Sequence, residues 1–254
     1  MIDLHCHILP GIDDGAKNLE ASIRMAESAV ENGITHILCT PHHNNGRFTN
    51  PKGQVMIAVE ELQAELDKRN IDLTLFEGQE VRLTADLILD LENDDILFVD
   101  VTNRYLLVEF PSSGIPLFAE QLFFELLSKD IIPVIVHPER NAGFLEDPNL
   151  LIPFIEMGAL TQLTAPSYVG KFGKKIQKMA SQMIKHNLVH MVATDAHNVE
   201  RRGFCLKEAY EKMEKEFGKA KVEEFKQIAK DLVNGDDVKV PNYKEVKIKK
   251  FLLF

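Results

Sequence analysis

Histidines and carboxylates recur at the ends of apolar segments along the whole sequence. They are His5, His7 and Asp14 in HCHILPGIDDG, His42 in TPHH, Glu80 in GQE, Glu109 in VEFP, His137 in HPER, and Asp195 and His197 in DAHN. Five imidazoles and four carboxylates with no thiolate form a mixed nitrogen–oxygen ligand set. Such a set suits Mn, Fe, Zn or Co better than Ca or Mg alone and gives no reason to expect an iron–sulfur cluster. Nine ligands are too many for one ion and enough for two or three, with carboxylates bridging. Ions a few ångströms apart can hold a hydroxide and clamp a phosphoryl group for in-line displacement. Arg140, three residues past His137, adds a planar bidentate donor matched to phosphate.

Each of these residues also has a plainer reading. His5 and His7 could be a half-buried pair beside a solvated turn, and His137-Pro138 could simply end a strand. Glu80 and Glu109 could pair with surface lysines, and Asp195-Ala196-His197 could be a helix cap. Independent accidents at six strand ends explain the pattern less well than one shared site. His36 and His190, at the starts of their strands, read as structural. His186, late in a helix, reads as a partner of the helix dipole, and His43 as either support for the site or a substrate contact.

The elements that must position these groups follow from periodicity. Ile2, Leu4 and Cys6 alternate with Asp3, His5 and His7, the period-two pattern of a strand, so His5 and His7 share a face. Pro10-Gly11 breaks that strand. Asn18 caps a helix over about 19–31 that Asn32-Gly33 stops, and Asn50-Pro51 opens another. Further strands are predicted at 34–40, 73–77, 105–109, 131–136, 160–163 and 189–194. They alternate with helices at about 51–70, 84–91, 117–128, 147–157, 174–187, 206–217 and 219–233. Seven short strands alternating with helices, without a linker, indicate one α/β domain over 1–235, followed by a tail over 236–254. An open doubly wound sheet and a barrel both fit that alternation. The convergence of polar residues on the C-terminal strand ends favours a distorted (β/α)7 barrel, closed or nearly so.

Lys+Arg 29 against Asp+Glu 39 gives a net charge of −10. That balance argues against a general nucleic-acid binder, although carboxylates bound to metal would already be neutralised. No apolar run approaches the ~20 residues of a membrane helix and no signal peptide is expected, so the chain reads as cytoplasmic. Cys6, Cys39 and Cys205 are far apart and read as reduced cytosolic thiols. None is followed six positions later by arginine, so the thiol-phosphatase loop is missing, and no Walker A sequence suggests an NTPase.

Taken in order, the six motifs resemble the polymerase-and-histidinol-phosphatase (PHP) superfamily over nearly the whole chain, to about Val233. Within it they resemble the manganese-dependent bacterial protein-tyrosine phosphatases of capsule and exopolysaccharide loci. The resemblance implies a TIM-like barrel and a centre of two or three ions, Mn²⁺ first, with Fe, Zn, Co or Mg as other occupants. His5, His7, Glu80 and Asp195 are implied to hold one ion, Glu80, Glu109 and His137 a second, and Asp14, His42 and His197 a third. Arg140, Asp195 and His42 are implied to be catalytic, with Arg140 on the substrate phosphate and Arg202, after DAHN, a second contact to it. The implied reaction is hydrolysis of phosphotyrosine by a hydroxide bridging the ions, without a covalent intermediate. The implied substrate is a phosphotyrosine protein, the tyrosine-rich tail of a membrane-associated bacterial tyrosine autokinase controlling capsule synthesis. The alternatives are a small-molecule phosphatase, such as one for histidinol phosphate, and a PHP-type phosphodiesterase or exonuclease. A metal-binding scaffold would need missing ligands, and all nine are present.

Three segments stand apart from these motifs. Thr164-Ala165-Pro166-Ser167 departs from the relatives' pattern, which has Gly before Ser. The proline is expected to stiffen a loop near the active-site mouth. Gly170-Lys171-Phe172-Gly173-Lys174-Lys175 is a basic loop that either receives an acidic phosphopeptide at the following helix N-terminus or is merely solvated. The tail carries Lys239, Lys244, Lys247, Lys249 and Lys250 and ends in Phe-Leu-Leu-Phe. It could touch anionic lipid, or pack on the barrel or another subunit.

Overall fold

The computed structural model describes residues 1–247. The alternation at the start produces β1 (Ile2–Cys6), and eight more strands follow: β2 (His36–Cys39), β3 (His42–His43), β4 (Thr74–Glu77), β5 (Glu80–Arg82), β6 (Tyr105–Glu109), β7 (Ile132–Val136), β8 (Leu160–Thr164) and β9 (Met191–Ala193). Between them run α1 (Leu19–Glu31), α2 (Lys52–Lys68), α3 (Leu87–Glu92), α4 (Ala119–Leu127), α5 (Ala142–Glu146), α6 (Ile152–Met157), α7 (Ala165–Val169) and α8 (Lys174–Lys185). The last two, α9 (Leu206–Phe217) and α10 (Lys219–Asn234), follow β9. All strand pairs are parallel, in a three-stranded sheet ordered β1-β2-β4 and a six-stranded sheet ordered β3-β5-β6-β7-β8-β9.

Seven strands are expected and nine are found among the described residues, because the second and third strands each break in two. Pro41, between β2 and β3, has no N–H to donate to a ladder. The neighbouring Thr40 is taken up by β1: its N–H donates to the Cys6 carbonyl at 2.9 Å, and its hydroxyl accepts from the Cys6 N–H at 3.0 Å. Gln79, between β4 and β5, is held by its side chain, which donates to the Asn50 carbonyl at 2.7 Å and accepts from the Leu97 N–H at 2.6 Å. Past these breaks β3 and β5 pair in register, His42 opposite Glu80.

The two sheets also meet at the other end of the order. A bridge joins Cys6 to Ala196, and the Asp195 N–H donates to the His5 carbonyl at 2.8 Å. Buried Asp3 accepts from the Thr194 N–H at 2.8 Å and from its hydroxyl at 2.5 Å, while burial pushes its carboxyl up to about 6. β1 therefore folds against the end of β9, far away in the chain.

Two short helices escape the periodicity. In α5, Asn141 accepts from the Gly143 and Phe144 N–H groups and donates to the Pro111 and Gly114 carbonyls, a cap that also fixes the preceding loop. The segment Thr164–Ser167 is not a loop at the mouth. Thr164 ends β8, and Ala165, Pro166 and Ser167 open α7, all buried. A proline in the first helical turn costs no hydrogen bond and fits there without strain.

Residues 236–247 run back over the body. The Tyr105 hydroxyl donates to the Asp236 carbonyl at 2.5 Å, Asn187 donates to the Asn242 carbonyl at 2.8 Å, and Asn149 and Val246 exchange bonds at 3.0 and 2.8 Å. Lys249, Lys250 and the Phe-Leu-Leu-Phe end lie outside the described residues. Among the described residues, no helix is long and apolar enough to cross a membrane.

Beneath the C-terminal end of β6, four rings pack edge to face. Phe110 lies 5.7, 5.5 and 5.6 Å from Phe123, Phe144 and Phe154, and Phe123 lies 4.9 Å from Phe154. These contacts tie α4, α5 and α6 to the strand that carries Glu109. Phe123→Ala is expected to lower the unfolding free energy by ~3–5 kcal/mol through lost burial and the cavity left behind. Chemical denaturation checks this, and a loss under ~1 kcal/mol would mean the site had collapsed around the smaller residue.

Candidate metal centre

β1 presents His5 and His7 from one face, and the outer nitrogen of each ring is held. His5 Nδ1 lies 2.8 Å from Gln162 Oε1 on β8, and His7 Nδ1 lies 2.7 Å from Asp13 Oδ2. Both partners accept, so in the neutral rings Nδ1 carries the hydrogen and the Nε2 lone pair faces inward. The two Nε2 atoms are 3.2 Å apart. Glu80 Oε2 lies 3.4 Å from each of them, and Asp195 Oδ1 lies 3.5 and 3.3 Å from His5 and His7.

Two lone pairs and two carboxylate oxygens facing one another at such distances repel unless a positive charge sits among them. Ligands of a four-coordinate ion with bonds of about 2.1 Å are about 3.4 Å apart, so the donor set fits a cation. Atoms left over by hydrogen bonding fall in the same place. His42 Nδ1, Glu80 Oε2, Glu109 Oε2 and His197 Nε2 are buried without a hydrogen-bond partner. His42 Nδ1 is only 2.8 Å from Glu80 Oε2, yet the pair lacks hydrogen-bond alignment, which leaves both atoms open to another partner.

The remaining candidates extend this group in two directions. Asp14 Oδ1 lies 3.3 Å from His42 Nε2 and 3.4 Å from His197 Nε2. Ligand atoms of His7, Asp14, His42 and His197 all fall within 4.8 Å of one another, as do those of His42, Glu80 and Glu109. His137 Nε2 lies 2.6 Å from Glu80 Oε1. All nine candidates thus meet in one region. His43 does not join them, since its ring is buried against the Asn50 carbonyl at 2.9 Å. His190 is buried against Thr161 on β8, and His186 caps α8 beside Lys244.

Charge on these groups follows from burial and from each other. Burial opposes a proton on His7, but Asp13, Asp195 and Glu80 draw its imidazole well above the ordinary value. His42 is raised to about 9 in the same way, against burial, by Glu80 and Asp14. Burial lowers His137 and His197 to about 4, with Arg140 and His7 respectively adding repulsion. Burial and the neighbouring Glu80 push Glu109 up to about 7. His137 and His197 are therefore neutral at pH 7, His137 donating from Nε2 to Glu80 and His197 with its Nε2 lone pair free, whereas His7 and His42 carry protons that a cation would replace.

Asp195 divides its two oxygens. Oδ1 faces the histidines, and Oδ2 accepts from Arg140 Nη2 at 2.5 Å and Arg202 Nη2 at 2.7 Å. Both arginines have an Nε with no partner, and both line a cleft of about 300 Å³. Phe110, Ser112, Val136, Asn141 and Phe144 also line that cleft.

Three supporting residues carry no sequence signal of their own. Asp13 and Gln162 orient His7 and His5, and Arg82 lies 3.1 Å from Glu109 Oε2 while donating to the Phe110 carbonyl. Asp13 is adjacent to Asp14, so DDG holds a ligand candidate and its neighbour's support together. The backbone hides more. His137 (φ 38°) and Asp195 (φ 52°) both adopt left-handed conformations that side chains disfavour, as functional positions often do. Gly15 is required by closeness, because a Cβ there would lie 2.0 Å from the His7 carbonyl oxygen.

The family described as "Capsular polysaccharide synthesis, CpsB/CapC" matches residues 1–233. Tyrosine-protein phosphatase YwqE of Bacillus subtilis is 46% identical over 218 residues, covering 86% of this chain and 85% of its own. Tyrosine-protein phosphatase CpsB of Streptococcus pneumoniae is 30% identical over 233 residues, covering 89% and 94%. A solved chain from the crystal structures of those two proteins, described as unique metal-dependent tyrosine phosphatases, superposes with a TM-score of 0.94 at 42% identity. It covers 98% of this chain and 100% of that one.

Since His7 and His42 must give up protons to a cation, loading with Mn²⁺ at pH 7.5 should release about one proton or more per chain. Affinity should then weaken roughly tenfold per pH unit per proton as pH falls from 8 to 6. Calorimetry in buffers of differing ionisation enthalpy measures both, and pH-independent affinity would refute the assignment. Gln162→Leu, which frees the His5 ring, should weaken metal binding by ~10–100-fold with the fold intact by circular dichroism.

Proposed function

The chain belongs to the CpsB/CapC family of capsular polysaccharide synthesis, and from this membership and the geometry of the centre we propose that it is a metal-dependent protein-tyrosine phosphatase. The observation that carries the proposal is the set of five distances of 3.2–3.5 Å among His5, His7, Glu80 and Asp195, with two arginines on the far oxygen of Asp195. His5, His7, Glu80 and Asp195 hold one ion in this reading. Asp14, His42 and His197 hold another, and Glu80, Glu109 and His137 a third, with Mn²⁺ the leading occupant. The two sheets are read as one distorted seven-stranded barrel of the PHP type, each interrupted strand counting once.

Bound ions supply a water acidic enough to attack phosphorus and positive charge beside the phosphoryl oxygens. The chain's own residues do the rest. Arg140 and Arg202, anchored by Asp195 Oδ2, hold phosphate oxygens with their remaining N–H groups and stabilise the charge that builds there. Phe110, Val136 and Phe144 are among the residues lining the cleft, though almost wholly buried. A phenol has a pKa of ~10, so tyrosine departs with less help from an acid than an aliphatic alcohol needs. No thiol takes part. Cys6, Cys39 and Cys205 are buried, and burial raises all three, Cys205 to about 12.

The substrate in this reading is a phosphotyrosine protein, a membrane-associated tyrosine kinase of the capsule system, met in the cytoplasm. The leaving group favours it over histidinol phosphate, whose alkyl alcohol departs less readily without an acid than a phenol does. The test is turnover of phosphotyrosine peptide, phosphoserine peptide, histidinol phosphate and a nucleotide diester, with Mn²⁺ or a chelator. Phosphotyrosine turnover that needs the metal and survives thiol alkylation is expected, and preference for histidinol phosphate would overturn the substrate. Arg140→Ala should lower kcat/KM by ~10²–10³-fold while metal content stays near wild type. Equal loss of both would assign Arg140 to ion retention instead.

A further inference from the structure

An imidazole that ligates an ion needs its ring plane fixed, and the usual means is a hydrogen bond at the nitrogen facing away from the ion. His5, His7 and His197 each have one: Nδ1 lies 2.8 Å from Gln162 Oε1, 2.7 Å from Asp13 Oδ2 and 3.0 Å from the Asp195 carbonyl respectively. His42 is placed differently. Its Nδ1 lies 2.8 Å from Glu80 Oε2 and 3.7 Å from Glu109 Oε2, and its Nε2 lies 3.3 Å from Asp14 Oδ1. Both nitrogens face other candidate ligands, and among the described residues no acceptor outside that group steadies the ring.

Aromatic contacts take that place. The His7 ring lies 4.6 Å from the His42 ring, centroid to centroid, and the Phe48 ring lies 6.2 Å away and within 8° of parallel. Phe48 is half-buried on the turn after β3, and the turn is built to hold it. The Asn45 side chain accepts from the Arg47 and Phe48 N–H groups at 3.0 and 2.8 Å, and the Asn45 N–H donates to the Phe48 carbonyl at 3.3 Å. The Arg47 guanidinium carbon lies 4.8 Å from the centre of the Phe48 ring. Both ends of the turn are pinned. Asn44 donates to Asp90 on α3 at 2.9 Å, and Asn50 donates to the His42 carbonyl at 2.8 Å and the Ile12 carbonyl at 3.1 Å. Asn50 thereby joins the turn to β3 and to the loop that carries Asp14. The Asp14 side chain is 39% exposed, whereas those of His5, His7 and Glu80 are fully buried. A ligand open to solvent competes with water, so the group of Asp14, His42 and His197 depends most on a well-held imidazole.

We propose that Phe48 is the positioning residue of His42. Its ring, presented by the 44–49 turn, does for this imidazole what Gln162 and Asp13 do for His5 and His7, and sets how firmly the ion shared with Asp14 and His197 is kept. The inference rests on the ligand assignment in the reading above and adds to it a residue that lies in none of the ligand motifs.

The test loads the full chain with Mn²⁺, removes free metal by gel filtration, and follows retained ions and their release to a chelator. Phe48→Ala should release one ion per chain ~10-fold faster than wild type, or more, and leave the others unaffected. Phe48→Tyr should match wild type. Phe48→Leu, which keeps much of the bulk but not the flat ring, should behave like Phe48→Ala. The metal-free chain should stay folded by circular dichroism in all three. In Asp14→Ala, which loses a ligand of the same ion, adding Phe48→Ala should alter the release of none that remain. Release within about twofold of wild type in Phe48→Ala overturns the inference, as does a Phe48→Leu chain equal to wild type or faster release of every ion together. A wild type that retains no Mn²⁺ fails the metal centre itself, which is a separate result.

Discussion

The central constraint on this molecule is the crowding of like partial charges. Four donor atoms, from the buried side chains of His5, His7, Glu80 and Asp195, face one another across 3.2–3.5 Å. While both rings are neutral, hydrogen bonds cannot relieve them, because the one hydrogen of each ring is committed outward to Gln162 or Asp13. Only a cation, or a set of protons in its stead, makes such an arrangement tolerable. The raised values of His7 and His42 are the second of these options.

Much of the scaffold serves to hold those atoms in an unfavourable closeness. β1 is locked to the end of β9 by Asp3 and Thr194 behind the site and by Cys6 and Ala196 beside it. His137 and Asp195 are fixed in left-handed backbone by bonds from their N–H groups to the Gln162 and His5 carbonyls at 2.7 and 2.8 Å. The breaks at Pro41 and Gln79 turn two strands so that His42 and Glu80 sit opposite each other. Conformational cost is thus concentrated around the ligands, and it is offset by ordinary packing elsewhere, such as the four-phenylalanine cluster under Glu109.

The motifs at strand ends are legible in the sequence because parallel strands align their C-terminal ends, so ligands that meet in space each follow an apolar run. The alternation in MIDLHC and the Asn18 cap of α1 are legible for the same local reasons. What sequence hides is whatever depends on distant partners. Gln162 looks like a polar interruption in a strand until its oxygen is seen on His5. The breaks that split two strands come from a proline and a glutamine whose effect lies in what they bond to across the fold. Thr164–Ser167 reads as a stiff loop because proline usually marks one, whereas here it starts a buried helical turn.

Asp195 has a consequence of a different kind. One of its oxygens belongs to the ion side and the other to the arginines, so a single carboxylate is common to two binding equilibria. When an ion draws electron density from Oδ1, the hold of Oδ2 on Arg140 and Arg202 weakens, and their N–H groups become freer for an oxyanion. Thermodynamic reciprocity then requires that an oxyanion on the arginines raise the affinity for the ion by the same factor. In the proposed reading, one side chain would thus couple cofactor and substrate without any movement of domains.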